Sequence, residues 1–139
     1  MVLEPRAQLT NVAAGAVARP WGKDAASIEG AESLLVVVNF FKNGGGQPLK
    51  FSLETASDPT LGLDYWKQTA TTITLTNVGV GMFQAAVSEL AGWVRWRVDN
   101  TGAGIATDVQ FAMVIYGIGR CCGEGSRFGK LATALKGTC

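Results

Sequence analysis

Apolar residues in this chain recur at every second position, in short runs separated by glycine-rich punctuation. That period predicts strands. It is clearest from Leu49 to Thr55, where Leu49, Phe51 and Leu53 fall on one side and Lys50, Ser52 and Glu54 on the other. Gly92 to Asp99 repeats the pattern, with Val94, Trp96 and Val98 opposed to Trp93, Arg95 and Arg97. Thr107 to Tyr116 is a further long strand carrying Val109, Phe111, Met113 and Ile115 on one side. Ser33 to Phe41 is apolar on both parities, so a strand buried on both faces is expected there. Gln8 to Val17, Tyr65 to Ala70, Thr72 to Val78 and Met82 to Val87 are weaker candidates.

Turn chemistry falls between these runs. Asn43-Gly44-Gly45-Gly46, Val78-Gly79-Val80-Gly81 and Asn100-Thr101-Gly102-Ala103-Gly104 mark turns, and Ala56 to Leu63 reads as a loop. Seven or eight short strands at such spacing predict an all-β, antiparallel β-sandwich of jelly-roll-like type. The expected organisation is an N-terminal arm and first strand over residues 1–32, a core over 33–117 and a tail over 118–139. Glu4-Pro5-Arg6 cannot open a long helix, and Met1 to Arg6 reads as an extended arm that gains order on a partner. Ser126 to Lys136 is the helix candidate, with Ser126 as cap, Leu131 and Leu135 four apart and Gly137 as stop.

Composition narrows the chemistry. The 139 residues are 47% hydrophobic and 17% charged, which excludes wholesale disorder. Twelve Lys and Arg against eleven Asp and Glu leave a charge of +1, too small for a domain that tracks phosphates. Histidine is absent, and with it the usual general base and the commonest metal ligand. Gly44-Gly45-Gly46 lacks the Gly-Lys-Ser/Thr of a phosphate loop, and Gly117 to Gly123 has no surrounding βαβ unit. Asp58, Asp64 and Asp99 lie in or beside expected turns. Cys121, Cys122 and Cys139 cluster at the C-terminus, with adjacent cysteines poorly placed to chelate one ion, and read as free thiols in a reducing compartment. The strongly apolar stretch Leu34 to Val38 falls far short of the roughly 20 residues of a membrane span. No signal peptide is read at the N-terminus. The expectation is a non-enzyme with no metal, no cofactor, no small-molecule substrate, no membrane partner and no nucleic-acid partner.

The aromatic residues suggest contact instead. Trp96 is expected in the core and Trp66 over a sheet edge. Trp93, beside Arg95 and Arg97 on the outward side of its strand, suits a protein interface, where Trp and Arg act as anchors. Further interface candidates are Val2, Leu3, Pro5 and Arg6 in the arm, and Arg127, Phe128, Leu131 and Leu135 in the basic tail.

The segment from Ser33 to Tyr116 resembles the small β-sandwich structural proteins of tailed-phage virions. The residues that carry the resemblance are Leu53-Glu54 with Ser57-Asp58, Trp66, the run Trp93-Val94-Arg95 with Arg97-Val98, and the final apolar strand. The resemblance implies a head decoration (cement) protein that bridges neighbouring capsid subunits. Its implied partners are the major capsid protein and copies of itself, as a homo-oligomer of which the trimer is the family's frequent form, in a virion assembled in the host cytoplasm. The alternative is a carbohydrate- or receptor-binding module of a phage tail or adhesion assembly, with exposed indoles stacking on sugar rings.

Overall fold

The structure, a computed structural model, describes residues 2–20, 25–28, 31–86, 90–100 and 106–119, and for residues 2–8, 10, 11 and 119 it describes the backbone only. It is all-β, as the alternation predicts. Ten strands run in chain order: β1 Val2–Val12, β2 Val17–Ala18, β3 Ala26–Ser27, β4 Ala31–Asn43, β5 Leu49–Ala56, β6 Lys67–Gln68, β7 Ile73–Leu75, β8 Gly79–Ala86, β9 Trp93–Asn100 and β10 Thr107–Gly119. A 3-10 turn, Leu63–Tyr65, lies before β6.

Two antiparallel sheets face each other. The four-stranded sheet has the order β1-β10-β4-β8. The six-stranded sheet has the order β2-β9-β5-β6, with β3 added to β9 and β7 to β5. Their inner faces supply the core: Leu34, Val36, Val38 and Phe40 from β4, Val109, Phe111, Met113 and Ile115 from β10, and Phe83 and Ala85 from β8. Leu49, Phe51 and Leu53 from β5 and Val94, Trp96 and Val98 from β9 meet them from the other side. Trp96 and Phe111 pack edge to face across the two sheets at 5.0 Å between ring centroids, and Phe51 joins Phe111 in the same geometry at 5.4 Å. Such T-shaped contacts place a ring's positive edge against its neighbour's negative face. Trp96 is a core residue, as its strand parity implies.

The turn from β4 to β5 is tied to the start of β10. The Gly45 N–H donates to Thr107 Oγ1 at 2.7 Å, and Thr107 Oγ1 donates to Asn43 Oδ1 at 2.8 Å. A Cβ on Gly45 would stand 2.8 Å from Thr107 Cβ and 2.9 Å from the Ala106 carbonyl oxygen. Glycine is required here by close approach of another stretch of backbone.

Two sequence expectations are overturned. Met1 to Arg6 was expected as an extended arm ahead of a strand from Gln8 to Val17, but Val2–Val12 form one edge strand on β10, with Val2 opposite Val114 and Val12 opposite Thr107. Proline and charge at Glu4-Pro5-Arg6 are compatible with that position because an edge strand has one unpaired side. The register is interrupted between Val2 and Glu4, between Glu4 and Ala7, and between Leu9 and Val12. Second, β4 is buried on one face only. Leu34, Val36, Val38 and Phe40 are buried, while Leu35 and Val37 on the other parity are partly open and Phe41 is exposed. The expected helix at Ser126 to Lys136 and the three cysteines lie outside the described residues.

Candidate functional site

The outward faces of the two sheets have opposite chemistry. On the six-stranded sheet, β5 and β9 are paired so that Glu54 lies opposite Arg95, and Ser52 opposite Arg97. Glu54 is only 1% exposed. Its carboxylate accepts from Arg95 Nε at 2.8 Å, from Arg19 Nε at 2.9 Å to each oxygen, and from Arg97 Nη1 at 3.2 Å. Arg97 also donates through Nε to both oxygens of Asp99, at 3.1 and 3.2 Å. Beside this cluster Gln68 Nε2 donates to Ser52 Oγ at 3.0 Å, and Trp66 lies against the Arg95 guanidinium, 4.2 Å from ring centroid to Cζ. The indole gives a cation a face that costs it little hydration. Arg95 Nη2 is buried with no hydrogen-bond partner among the described residues.

Three arginines and two carboxylates leave this cluster with one positive charge in excess. Burial pulls the Arg97 guanidinium down, but its hydrogen bond to Asp99 and the attraction of Asp99 and Glu54 outweigh that, and its pKa is raised. A group raised in this way contributes stability that is lost only as pH climbs through the arginine range, so Arg97 stays charged at every pH the fold meets. The Glu54 oxygens are occupied by four guanidinium hydrogen bonds, which fill the lone-pair sites of a carboxylate. The cluster therefore ties β5, β9 and the chain leaving β2 together across the sheet.

This alters the reading of the expected site residues. Arg95 and Arg97 were expected on an open interface face beside Trp93. The structure turns both guanidinium groups inward onto Glu54, because an unpaired buried carboxylate would be far costlier than an ordered arginine. Trp93 sits half-buried at the start of β9. Trp66 is 7% exposed and covered by Arg95, so its ring offers no open face to a sugar. Asp99, expected at the end of its strand beside a turn, lies in β9 and is an ion-pair partner of Arg97. Val2, Leu3, Pro5 and Arg6 are in β1, whereas Arg127, Phe128, Leu131 and Leu135 lie outside the described residues. Arg19 was not singled out from the sequence, and Glu54 was named only as an outward strand residue and as part of the resemblance, not as the centre of an ion-pair cluster. The available signal was an acid and two arginines on outward parities of two strands that could be neighbours.

From Ala112 to Ile118 and across the facing stretches of β4 and β8, the outward face of the four-stranded sheet carries no charge; Asp108 and Lys42 fall on the same parity only beyond it, toward the β4–β5 turn. Strand registers put Ala112, Asn39 and Val80 in one row, then Val114, Val37 and Met82, then Tyr116, Leu35 and Gln84, and finally Ile118, Ser33 and Ala86. Nine of these twelve side chains are apolar, and the other three are neutral. Val80 is 66% exposed and Met82 60%, and Tyr116 and Ile118 are also open to solvent. With Phe41, the exposed parts of these residues make an apolar patch on the order of 500 Å², at the top of the range for a monomer's largest patch. Sequence periodicity missed this face because an apolar outward parity looks the same as a second buried one.

No protein-family model matches the chain, and no curated protein sequence matches it. Among solved structures it is similar to PirA, with a TM-score of 0.50 and 13% identity, covering 81% of this chain and 93% of that one. It is also similar to a protein of the disulfide-linked pili that form Bacillus endospore appendages, with a TM-score of 0.41 and 13% identity, covering 83% of this chain and 86% of that one. At these identities the PirA likeness bears on the sandwich fold alone, and the more distant pilus likeness adds nothing to it. Neither is a phage head decoration protein.

Proposed function

We propose that this chain is a structural component of an assembly, whose work is to bury surface against neighbouring chains, and that it serves as a decoration protein on the head of a tailed phage. The single observation that supports assembly is the uncharged apolar patch formed by residues 112–118 of β10 with the facing stretches of β4 and β8. A face of that kind is costly to leave in water and gains free energy when covered, at roughly 25 cal/mol per Å² of apolar area. The phage setting rests on the sequence resemblance of Ser33 to Tyr116. A cement protein acts by binding the assembled shell in preference to its free subunits, which shifts the balance toward the shell by mass action.

The test is co-sedimentation of the full chain with tailed-phage heads assembled without it. The chain is expected to pellet with the heads and not with unassembled capsid protein. Tyr116→Asp, which places a charge on the apolar face, is expected to weaken pelleting at least about tenfold, whereas Lys50→Glu on the opposite sheet leaves it unchanged. A chain that stays in the supernatant at saturating concentration removes the head-decoration role.

A further inference from the structure

The four-stranded sheet ends differently on its two sides. At one end β1 carries Glu4, Pro5 and Arg6 and three interruptions of register. Charge, proline and bulges are the devices by which natural sheets keep a free edge from pairing with another chain. At the other end β8, with the sequence Gly-Val-Gly-Met-Phe-Gln-Ala-Ala, has no charge and no proline. It pairs with β4 residue for residue from Ser33 opposite Ala86 to Phe40 opposite Gly79, without a break in register. Among the described residues it has a ladder partner on one side only. The free edges of the six-stranded sheet are pieces of two or three residues, β2, β3, β6 and β7. Beneath β8 the sandwich is closed by β7, for a Cβ on Gly81 would meet Ile73 Cδ1 at 2.8 Å. What remains open is the edge itself, flanked by the outward side chains of Val80 and Met82.

We infer that β8 is a self-pairing edge, and that a second copy of this chain adds its own β8 antiparallel to it, joining two four-stranded sheets into one of eight. The inference rests on the assembly reading above and names the partner. Antiparallel pairing of one strand with its own copy is compatible with a two-fold axis. Residues opposed in such a pair share a face, so the axis passes at Met82 or Phe83 and keeps outward side chains beside outward ones. The absence of charge on β8 means that two copies meet with no like-charge repulsion, while a charged partner finds no counter-charge there. Pairing also makes the two apolar faces continuous.

The experiment is sedimentation equilibrium of the full chain from about 1 to 100 μM, with reductant present so that Cys121, Cys122 and Cys139 cannot link chains. A reversible dimer of twice 14.6 kDa is expected. Met82→Lys, at an exposed position on the pairing edge, is expected to raise the dissociation constant at least about tenfold, since lysine is the usual edge blocker. Tyr116→Lys lies on the same face but two strands away, and the dimer is expected to survive it. Three results overturn the inference: a chain that stays monomeric at 100 μM, a dimer that tolerates Met82→Lys but not Tyr116→Lys, or a dimer lost only when residues 120–139 are removed. A monomer that still pellets with heads removes the self-pairing edge and keeps the assembly reading; a dimer that fails to pellet does the reverse.

Discussion

Glu54 and Arg95 stand directly opposite each other on β5 and β9, and the guanidinium donates through Nε to Glu54 Oε1 at 2.8 Å. The carboxylate is sealed from solvent, and its two other arginine partners approach from Arg97 on the same neighbouring strand and from Arg19 just beyond β2. Removing Glu54 would leave three cations close together with one remaining carboxylate, Asp99. Glu54→Ala is therefore expected to destabilise the fold by about 3–5 kcal/mol, the usual cost of breaking a buried pair from one side. Urea unfolding measures it, and a loss below about 1 kcal/mol would show that the cluster is solvated.

Arg19 offers a graded comparison. Its side chain is 26% exposed, and Glu54 keeps two arginines without it. Arg19→Ala is expected to cost about 1 kcal/mol or less, in line with partly exposed ion pairs. Equal losses for Arg19→Ala and Glu54→Ala would show that the network acts as one unit.

Trp96 fills the centre of the core against Phe111. Trp96→Ala is expected to cost about 3–5 kcal/mol through lost burial and the cavity left behind. A thermal melt with calorimetric enthalpy reads the change, and an unaltered melting temperature would contradict the packing described.

At Gly45 the neighbours are backbone and a β-branched side chain that cannot swing away. Gly45→Ala is expected to destabilise by about 1–3 kcal/mol, as overpacking does, and to weaken the hydrogen bonds linking Gly45, Thr107 and Asn43. Gly44→Ala, whose Cβ would stand 3.4 Å from Asp108 Cβ, is expected to cost less. Denaturant midpoints of the two variants should differ in that order.

Deletion of residues 2–12 tests the place of β1. A dispensable arm could be removed without loss of cooperative unfolding. As a strand of the sheet, β1 pairs with β10 from Thr107 to Val114 and brings Val12 to the core, where the Asn100 amide donates to the Val12 carbonyl at 2.9 Å. The deletion is expected to abolish the cooperative transition, and a sharp melt in the shortened chain would return this segment to the status of an arm.

The sandwich was legible in the sequence where one face of a strand is buried and the other polar. Leu49 to Thr55 and Gly92 to Asp99 became β5 and β9 nearly residue for residue. Where the physics is long-range the sequence was silent. β1 owes its strand state to β10, more than ninety positions away, and nothing local in Glu4-Pro5-Arg6 announces that partner. Glu54 reads as a solvent-facing acid until the β5–β9 register and the chain leaving β2 bring Arg95, Arg97 and Arg19 onto it, from 41, 43 and 35 positions away. The outward apolar face stayed hidden because burial on both sides and exposure on one give β4 the same alternation-free run.

The contrast between the two exteriors gives the molecule a built-in response to its solvent. Dissolved electrolyte screens charge wherever water can reach it, which loosens the rim of the arginine cluster. An excluded salt such as sulfate instead strengthens the drive to hide hydrocarbon, and that drive belongs to the opposite side. Ammonium sulfate thus does both at once, screening the rim of the ionic exterior while driving the lipophilic one out of water, and a purification that ends in it will gather whatever aggregates that second exterior favours.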